Sequence, residues 1–169
     1  SGENVALFEQ CVSLRLTPEG RLFRDDDGVS VYASGHGDLP EALAKSGLLQ
    51  KFLMSRGEGY VWIANLDNLG ATVDPAILGW HASHDSAVTV EVVDKVGTDR
   101  GGVPVVWEGK RIVSEEFRLP KEVDPATIRV FNTNTFLVDA RALADLDFEF
   151  TFVEVEKTVG DKKAVQFER

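Results

Sequence analysis

Apolar positions along the first half of the chain recur with two different periods, and they predict alternating strands and helices. Segment 29–33 is short and β-prone, and segment 39–55 carries apolar side chains at helical spacing. Segment 60–64 is apolar without alternation, which is typical of a strand covered on both faces. Asp74-Pro75 then predicts the start of a second helix, which runs to about His84.

The second half of the chain predicts mostly strands. A β-branched run at 87–93 is followed by a hairpin whose strands flank Glu108-Gly109, and Asn132-Thr133-Asn134 interrupts the next apolar run. A short helix and a terminal ribbon complete the chain, with the predicted bounds 141–146, 148–155 and 163–167. The order predicts an α/β fold with a mixed, mostly parallel sheet and an antiparallel insertion, and residues 1–169 are interpreted as a single domain.

Composition narrows the classes of partner. The chain has 169 residues, and its 18 Lys and Arg against 28 Asp and Glu give a formal net charge of -10. This excess of acid argues against a nucleic-acid or an anionic membrane surface, although a small phosphorylated ligand senses only its own pocket. Cys11 is the only cysteine, which suits a reducing compartment, and no apolar run approaches the ~18 residues of a membrane span. We therefore expect a cytoplasmic protein.

The stretch Gly35-His36-Gly37-Asp38 lies directly before the first predicted helix. Glycines let a ligand approach the backbone, free N–H groups at a helix start attract anions, and His36 adds a donor. The alternative is a tight turn capped by Asp38, which the spacing alone favours. Pro40 stands where the dinucleotide-binding fingerprint needs a third glycine, and no Gly-Lys-Ser/Thr follows, so neither that fingerprint nor a Walker loop is present.

Polar residues follow the strand predicted at 60–64. Asp67 lies just past the strand, where ligands of open α/β sheets collect, and its carboxylate could hold Mg²⁺ that bridges phosphates. Asn65 adds an amide that suits hydroxyl groups. The alternative is an Asx-turn in which these side chains bond the local backbone.

Two further groups of amides are candidate ligands. Asn132 and Asn134 interrupt an apolar strand, where polar groups cost stability unless they bond something such as a sugar hydroxyl. The alternative is a bulge with local backbone bonds. Gln10 could read a base edge, or it could be an ordinary surface residue.

Taken together, these segments resemble the UTP–glucose-1-phosphate uridylyltransferase family, also called UDP-glucose pyrophosphorylases. The most specific piece is the run at 65–74, Asn-Leu-Asp-Asn-Leu-Gly-Ala-Thr-Val-Asp. Other matching pieces follow in the family's order from about Phe8 to Glu168, namely 35–38, 46–49, 91–95, 101–102, 108–110, 119–122 and 131–134.

The resemblance implies a Rossmann-like, three-layer nucleotide-diphospho-sugar transferase (GT-A-like) domain. It implies the reversible reaction of UTP with glucose 1-phosphate to give UDP-glucose and pyrophosphate, without a covalent enzyme intermediate. Nucleotide contacts are implied for Gln10, which would read uracil, for the backbone of Gly35, and for His36, which would also contact phosphate.

Sugar-phosphate contacts are likewise implied by the resemblance. Asp67 would also bind Mg²⁺, and Glu115 would lie near the sugar. The full implied set is His36, Asn65, Asp67, Glu115, Asn132 and Asn134.

Departures from the family pattern argue against catalytic activity of this chain alone. Members of the family carry a glycine-rich N-terminal loop with a downstream lysine, a second catalytic lysine and a C-terminal β-helix. None of these features has a match in this sequence. We therefore expect a central part of the catalytic domain that lacks the cationic clamp and is not competent alone, with no catalytic residue assigned. A missing strand would leave a sheet edge for self-association. The alternatives are a non-catalytic nucleotide-sugar binding module, or a pyrophosphorylase for another sugar 1-phosphate such as N-acetylhexosamine 1-phosphate.

Overall fold

The structure is a computed structural model that describes residues 5–84, 86–97, 99, 101–147 and 151–169. These residues form two compact units. The first unit takes its described residues from 1–57 and 143–169, and the second unit comprises 58–142. The interpretation of residues 1–169 as one domain stays a prediction.

Helices and strands both occur, in agreement with the predicted α/β class. The strands are β1 (Val12–Leu14), β2 (Arg24–Asp25), β3 (Gly28–Val29), β4 (Val31–Ala33), β5 (Tyr60–Ile63), β6 (Val88–Asp94), β7 (Gly102–Trp107), β8 (Lys110–Glu115), β9 (Val130–Asp139), β10 (Val153–Val159) and β11 (Lys162–Glu168). The helices are α1 (Leu39–Lys45), α2 (Leu48–Arg56), α3 (Pro75–Ser83) and α4 (Ala140–Ala144), with short 3₁₀ helices at His36–Asp38, Glu116–Arg118 and Pro125–Thr127.

The first unit is built from two-stranded antiparallel ribbons, which pair β1 with β4, β2 with β3, and β10 with β11. The predicted terminal ribbon is confirmed from Val153 onward, and residues 148–150 of that prediction lie outside the described residues. The Tyr32 hydroxyl joins two of the ribbons, because it donates to the Phe167 carbonyl at 3.0 Å and accepts from the Phe167 N–H at 2.6 Å. Phe23 and Val165 are among the buried apolar side chains of this unit.

The helix predicted over 39–55 is broken into α1 and α2. Gly47 separates them with φ of 73°, a left-handed conformation that glycine adopts without steric cost and that ends a helix. Apolar spacing alone did not reveal the break, because both helices keep their apolar residues in the same period. The start of α3 is as predicted, since the Asp74 carboxylate accepts from the Ala76 N–H at 2.7 Å with Pro75 in the first turn.

The second unit contains a five-stranded sheet centred on β9. Strand β6 pairs with one edge of β9, while β5 and β7 pair with successive parts of its other edge, and β8 lies outside β7. Every pairing among the described strands is antiparallel, so the prediction of a mostly parallel sheet is wrong for them. Strands β5 and β6 do run in the same direction, but β9 is inserted between them. The three-layer arrangement stays a prediction.

The prediction that β5 is covered on both faces, which was based on its run of apolar residues without polar alternation, is wrong. Tyr60 and Trp62 are 39% and 36% exposed, so one face of β5 is open rather than covered. No helix among the described residues is long and apolar enough to span a membrane.

A buried carboxylate fixes the start of α1 in the first unit. Asp38 is only 1% exposed, and it accepts hydrogen bonds from the Ser34 hydroxyl and, at 2.9 Å, from Nη1 of Arg169. The same Arg169 nitrogen donates to Glu41 at 2.9 Å. Asp38 occupies the N-cap position, but its side chain makes no capping bond, so the predicted capping role is wrong. Its carboxylate is used for this ion pair instead.

Asp38→Ala is expected to lower the free energy of unfolding by about 3 kcal/mol, because it removes one partner of a buried, hydrogen-bonded ion pair. Urea unfolding followed by circular dichroism measures the change. Asp26→Ala removes an exposed carboxylate of the same unit and should change little. A loss for Asp38→Ala no larger than that of this control would contradict the assignment.

Acid should weaken the contacts of Glu41. Hydrogen bonds from Lys45 and then from Arg169 lower the pKa of Glu41 below its usual 4.5. A carboxylate with a lowered folded-state pKa adds stability above the unfolded pKa, and this is lost as pH falls through the folded pKa. Glu41→Gln should therefore be less stable than the unmodified chain near pH 7, and the difference should vanish in acid. Thermal unfolding across this range tests it, and a constant difference would disprove it.

Candidate functional site

A polar cavity of about 370 Å³ opens in the second unit, within the range of about 300–1,000 Å³ of ligand pockets. The cavity is lined by amide and carboxylate side chains, which come from the loop after β5, the end of β8 and β9. The start of β7 completes the lining. The lining residues are Asn65, Asp67, Asn68, Gly101, Gly102, Glu115, Phe131, Asn132, Thr133 and Asn134. All five residues of this unit that the resemblance implied as sugar-phosphate contacts therefore meet in one cavity.

Three neighbouring strands meet at Gly102, which pairs with Glu115 on one side and with Asn132 on the other. Directly opposite residues share a face of the sheet, so Glu115 and Asn132 lie on either side of Gly102. A Cβ at this position would lie 2.4 Å from Val113 Cγ1, so the side chain of Val113 fills the space beside Gly102. Glycine at 102 therefore lets Val113 pack against the backbone of β7 next to the cavity.

The loop after β5 is held by its backbone. The N–H of Asn68 donates to the Asn65 carbonyl at 3.1 Å, and the N–H of Leu69 donates to the Asp67 carbonyl at 3.0 Å. The Asp67 carboxylate is exposed, and among the described residues it neither accepts a hydrogen bond nor forms an ion pair. The Asx-turn alternative, which needs such a bond, is therefore not supported for Asp67. The Asn68 amide reaches Thr135 Oγ1 at 3.4 Å and ties the loop to β9. Asp67 is therefore available to a ligand.

The polar interruption of β9 is a bulge within one continuous strand, not a gap between two strands. Its pairing with β6 skips from Phe136 to Asn132 while β6 advances from Val90 to Val92. Asn134 has φ of 60°, a conformation uncommon for a residue with a side chain. The alternative with local bonds is confirmed for Asn132, which is 4% exposed and hydrogen-bonded through its amide.

The glycine loop of the first unit uses its missing side chains to contact its own chain. A Cβ on Gly35, whose φ is 104°, would lie 2.7 Å from the Arg169 carbonyl oxygen, and one on Gly37 would lie 2.7 Å from the Arg169 carbonyl carbon. The N–H of Gly37 donates to the same carbonyl oxygen at 3.1 Å. The space that these glycines leave on this face of the loop is therefore occupied by Arg169, and a ligand role of the loop stays a prediction.

The remaining nucleotide candidates also belong to the first unit. The Gln10 side-chain amide donates to the Gly35 carbonyl at 3.0 Å, so these two predicted residues are neighbours. His36 is exposed at the start of its 3₁₀ helix. The buried Asp38 carboxylate follows two residues later, and Arg169 offsets its charge. The roles of Gln10, Gly35 and His36 stay predictions.

Several cavity residues did not stand out in the sequence. Phe131 and Thr133 line the cavity only because they flank the two asparagines on β9. The glycines at 101 and 102 were weak signals by themselves, since loops commonly contain such residues. The signal that could have identified Gly102 is its place at the start of a strand, where glycine usually marks a close approach of neighbouring groups.

Comparison with known proteins identifies the family of the chain. A family model described as UTP–glucose-1-phosphate uridylyltransferase matches residues 2–169. The UTP–glucose-1-phosphate uridylyltransferase of Hordeum vulgare is 36% identical over 147 residues, which are 81% of this chain and 31% of that protein. The chain spans about 30% of the length of the curated relatives it matches.

Two solved structures have a similar fold. A UDP-glucose phosphorylase from Trypanosoma brucei is 24% identical with a TM-score of 0.78, and the match covers 94% of this chain and 38% of that one. A mutant UDP-glucose pyrophosphorylase from Leishmania major, in complex with UDP-glucose, is 23% identical with a TM-score of 0.73, and the match covers 94% and 40%. The family match over residues 2–169 and the identity to the barley relative show that this chain belongs to the UTP–glucose-1-phosphate uridylyltransferase family.

Proposed function

We propose that the cavity of the second unit binds the sugar phosphate of UDP-glucose, and that the chain serves the uridylyltransferase reaction of its family. In that reaction the phosphate of glucose 1-phosphate attacks the α-phosphorus of UTP, and pyrophosphate leaves. Family membership supports the proposal, as does the relative from Leishmania major that was solved with UDP-glucose. The likeness of fold also supports the GT-A-like arrangement implied by the resemblance.

The observation that carries the proposal is the convergence of amide and carboxylate side chains from three segments on one polar cavity. A cavity lined by Glu115, by amides and by the exposed Asp67 suits a ligand with many hydroxyl groups and a phosphate. Glu115 would accept a hydrogen bond from a hydroxyl, and the amides of Asn65 and Asn134 can both donate and accept. These are the groups that fix the orientation of a sugar ring.

In the first unit we propose that Gln10, Gly35 and His36 contact the nucleotide. Gln10 uses one amide N–H for the Gly35 carbonyl, which leaves its second N–H and its oxygen for the donor and acceptor edge of a uracil. The exposed imidazole of His36 can donate to a phosphate oxygen.

The donor set fits Mg²⁺ when a substrate contributes ligands. Among the described residues no three His, Cys, Asp or Glu side chains cluster as a metal cage. Mg²⁺ commonly binds through one or two carboxylates together with substrate phosphates and water. We propose that the free carboxylate of Asp67 is that ligand, and bound Mg²⁺ would supply positive charge to the phosphate oxygens.

Catalysis by this chain alone is not expected. Phosphoryl transfer depends on positive charge around the transferring group. The residues that line the cavity include no lysine and no arginine among those described. We therefore propose that the 169-residue chain binds UDP-glucose without converting UTP and glucose 1-phosphate.

Calorimetry with UDP-glucose tests the proposed ligand. Glu115→Gln is expected to weaken binding about tenfold, because a charge-assisted hydrogen bond to a hydroxyl becomes a neutral one. Glu122→Gln alters an exposed carboxylate outside the cavity and should bind like the unmodified chain. No binding by the unmodified chain at millimolar UDP-glucose would disprove the proposal, and a panel of other UDP-sugars would identify a different sugar.

Paramagnetic Mn²⁺ tests the metal ligand without any turnover. In the presence of UTP, the chain is expected to reduce the free Mn²⁺ signal below that of UTP alone, because Asp67 adds a ligand to the nucleotide-bound ion. Asp67→Asn should abolish this difference. Asp94→Asn, an exposed aspartate outside the cavity, should preserve it. An unchanged signal with Asp67→Asn would show that the metal is held elsewhere.

A further inference from the structure

We infer that Asn132 is a positioning residue, not a sugar ligand, and that it holds Asn134 in the conformation that lines the cavity. This inference rests on the proposed function of that cavity. It revises the role that the family resemblance implied for Asn132, and it leaves Asn134 as the asparagine of β9 that contacts the sugar.

The side chain of Asn132 is already occupied within the protein. Its Nδ2 donates to the Glu91 carbonyl at 2.8 Å and to the Thr135 carbonyl at 3.3 Å, and its Oδ1 accepts from the Asn134 N–H at 3.0 Å. An asparagine amide has two N–H donors, so both are in use. With 4% of its surface exposed, Asn132 has little left to offer a ligand.

Asn134 has the opposite properties. Its φ of 60° is strained for a residue with a Cβ, and such conformations persist only where the surroundings support them. The bond from its N–H to Asn132 Oδ1 provides that support. Its half-buried side-chain amide lines the cavity and has no hydrogen-bond partner among the described residues.

The bulge explains why these two roles occur so close together. Residues 133–135 of β9 lie opposite Glu91 alone, so the regular ladder to β6 is interrupted there. The Asn132 amide crosses this interruption to the Glu91 carbonyl, while its oxygen closes the turn onto Asn134. The Asn132 side chain thus replaces backbone hydrogen bonds between β6 and β9. The turn that it closes directs Asn134 toward the cavity.

Hydrogen exchange in the free chain tests the positioning role without any ligand. Asn132→Ala is expected to reduce the protection of the Asn134 amide proton about tenfold or more, because its acceptor is lost. Asn132→Leu has a similar shape but no acceptor and should reduce the protection as well. Unchanged protection with Asn132→Ala would overturn the inference, and should that variant fail to fold, unchanged protection with Asn132→Leu would overturn it.

A double-mutant cycle with UDP-glucose tests the consequence for binding. Asn132→Ala and Asn134→Ala should each weaken binding about tenfold, and the double variant should be no weaker than Asn134→Ala, because Asn132 acts through Asn134. Additive losses would instead make Asn132 a direct ligand. If the unmodified chain binds no UDP-glucose, the proposed function fails, while the exchange experiment still decides whether Asn132 holds the turn.

Discussion

The hydrogen bonding of β9 along both of its edges is the constraint on which the second unit depends. One edge is paired with β6, and the other edge is shared by β5 and β7. A strand paired in this way cannot shift its register without breaking two ladders, and a shift of one residue would turn every side chain to the opposite face. The asparagines of β9 therefore have fixed neighbours, which a site that reads hydroxyl positions requires.

Glycine contributes to each unit by the close approach that its missing side chain permits. At Gly102 the space of a side chain is occupied by Val113 of the neighbouring strand β8, beside the polar cavity. At Gly35 and Gly37 the corresponding space is filled by the backbone of Arg169. The same residue type thus admits a side chain in one place and a backbone segment in the other.

Sequence reasoning identified the polar residues of the cavity better than it identified the sheet. Asn65, Asp67 and Asn134 were recognisable because polar groups next to apolar strands cost stability unless they bond something. This pattern can be read from a few neighbouring residues in the sequence. The direction of pairing was not local: β9 begins 67 residues after β5 ends, yet it lies between β5 and β6. The partner of Asp38 was equally hidden, since Arg169 is 131 residues away in the chain. Local patterns carry no information on such distant neighbours.

The order of the units along the chain has a consequence for folding. The first unit is discontinuous, because the second unit is inserted into it, and the insert closes its own ends through a bond of 2.9 Å from the Ala140 N–H to the Gly59 carbonyl. Once the second unit has formed, the two segments of the first unit are joined by what is effectively a short connection rather than by some 85 free residues. A shorter connection reduces the conformational entropy lost when these two segments pair.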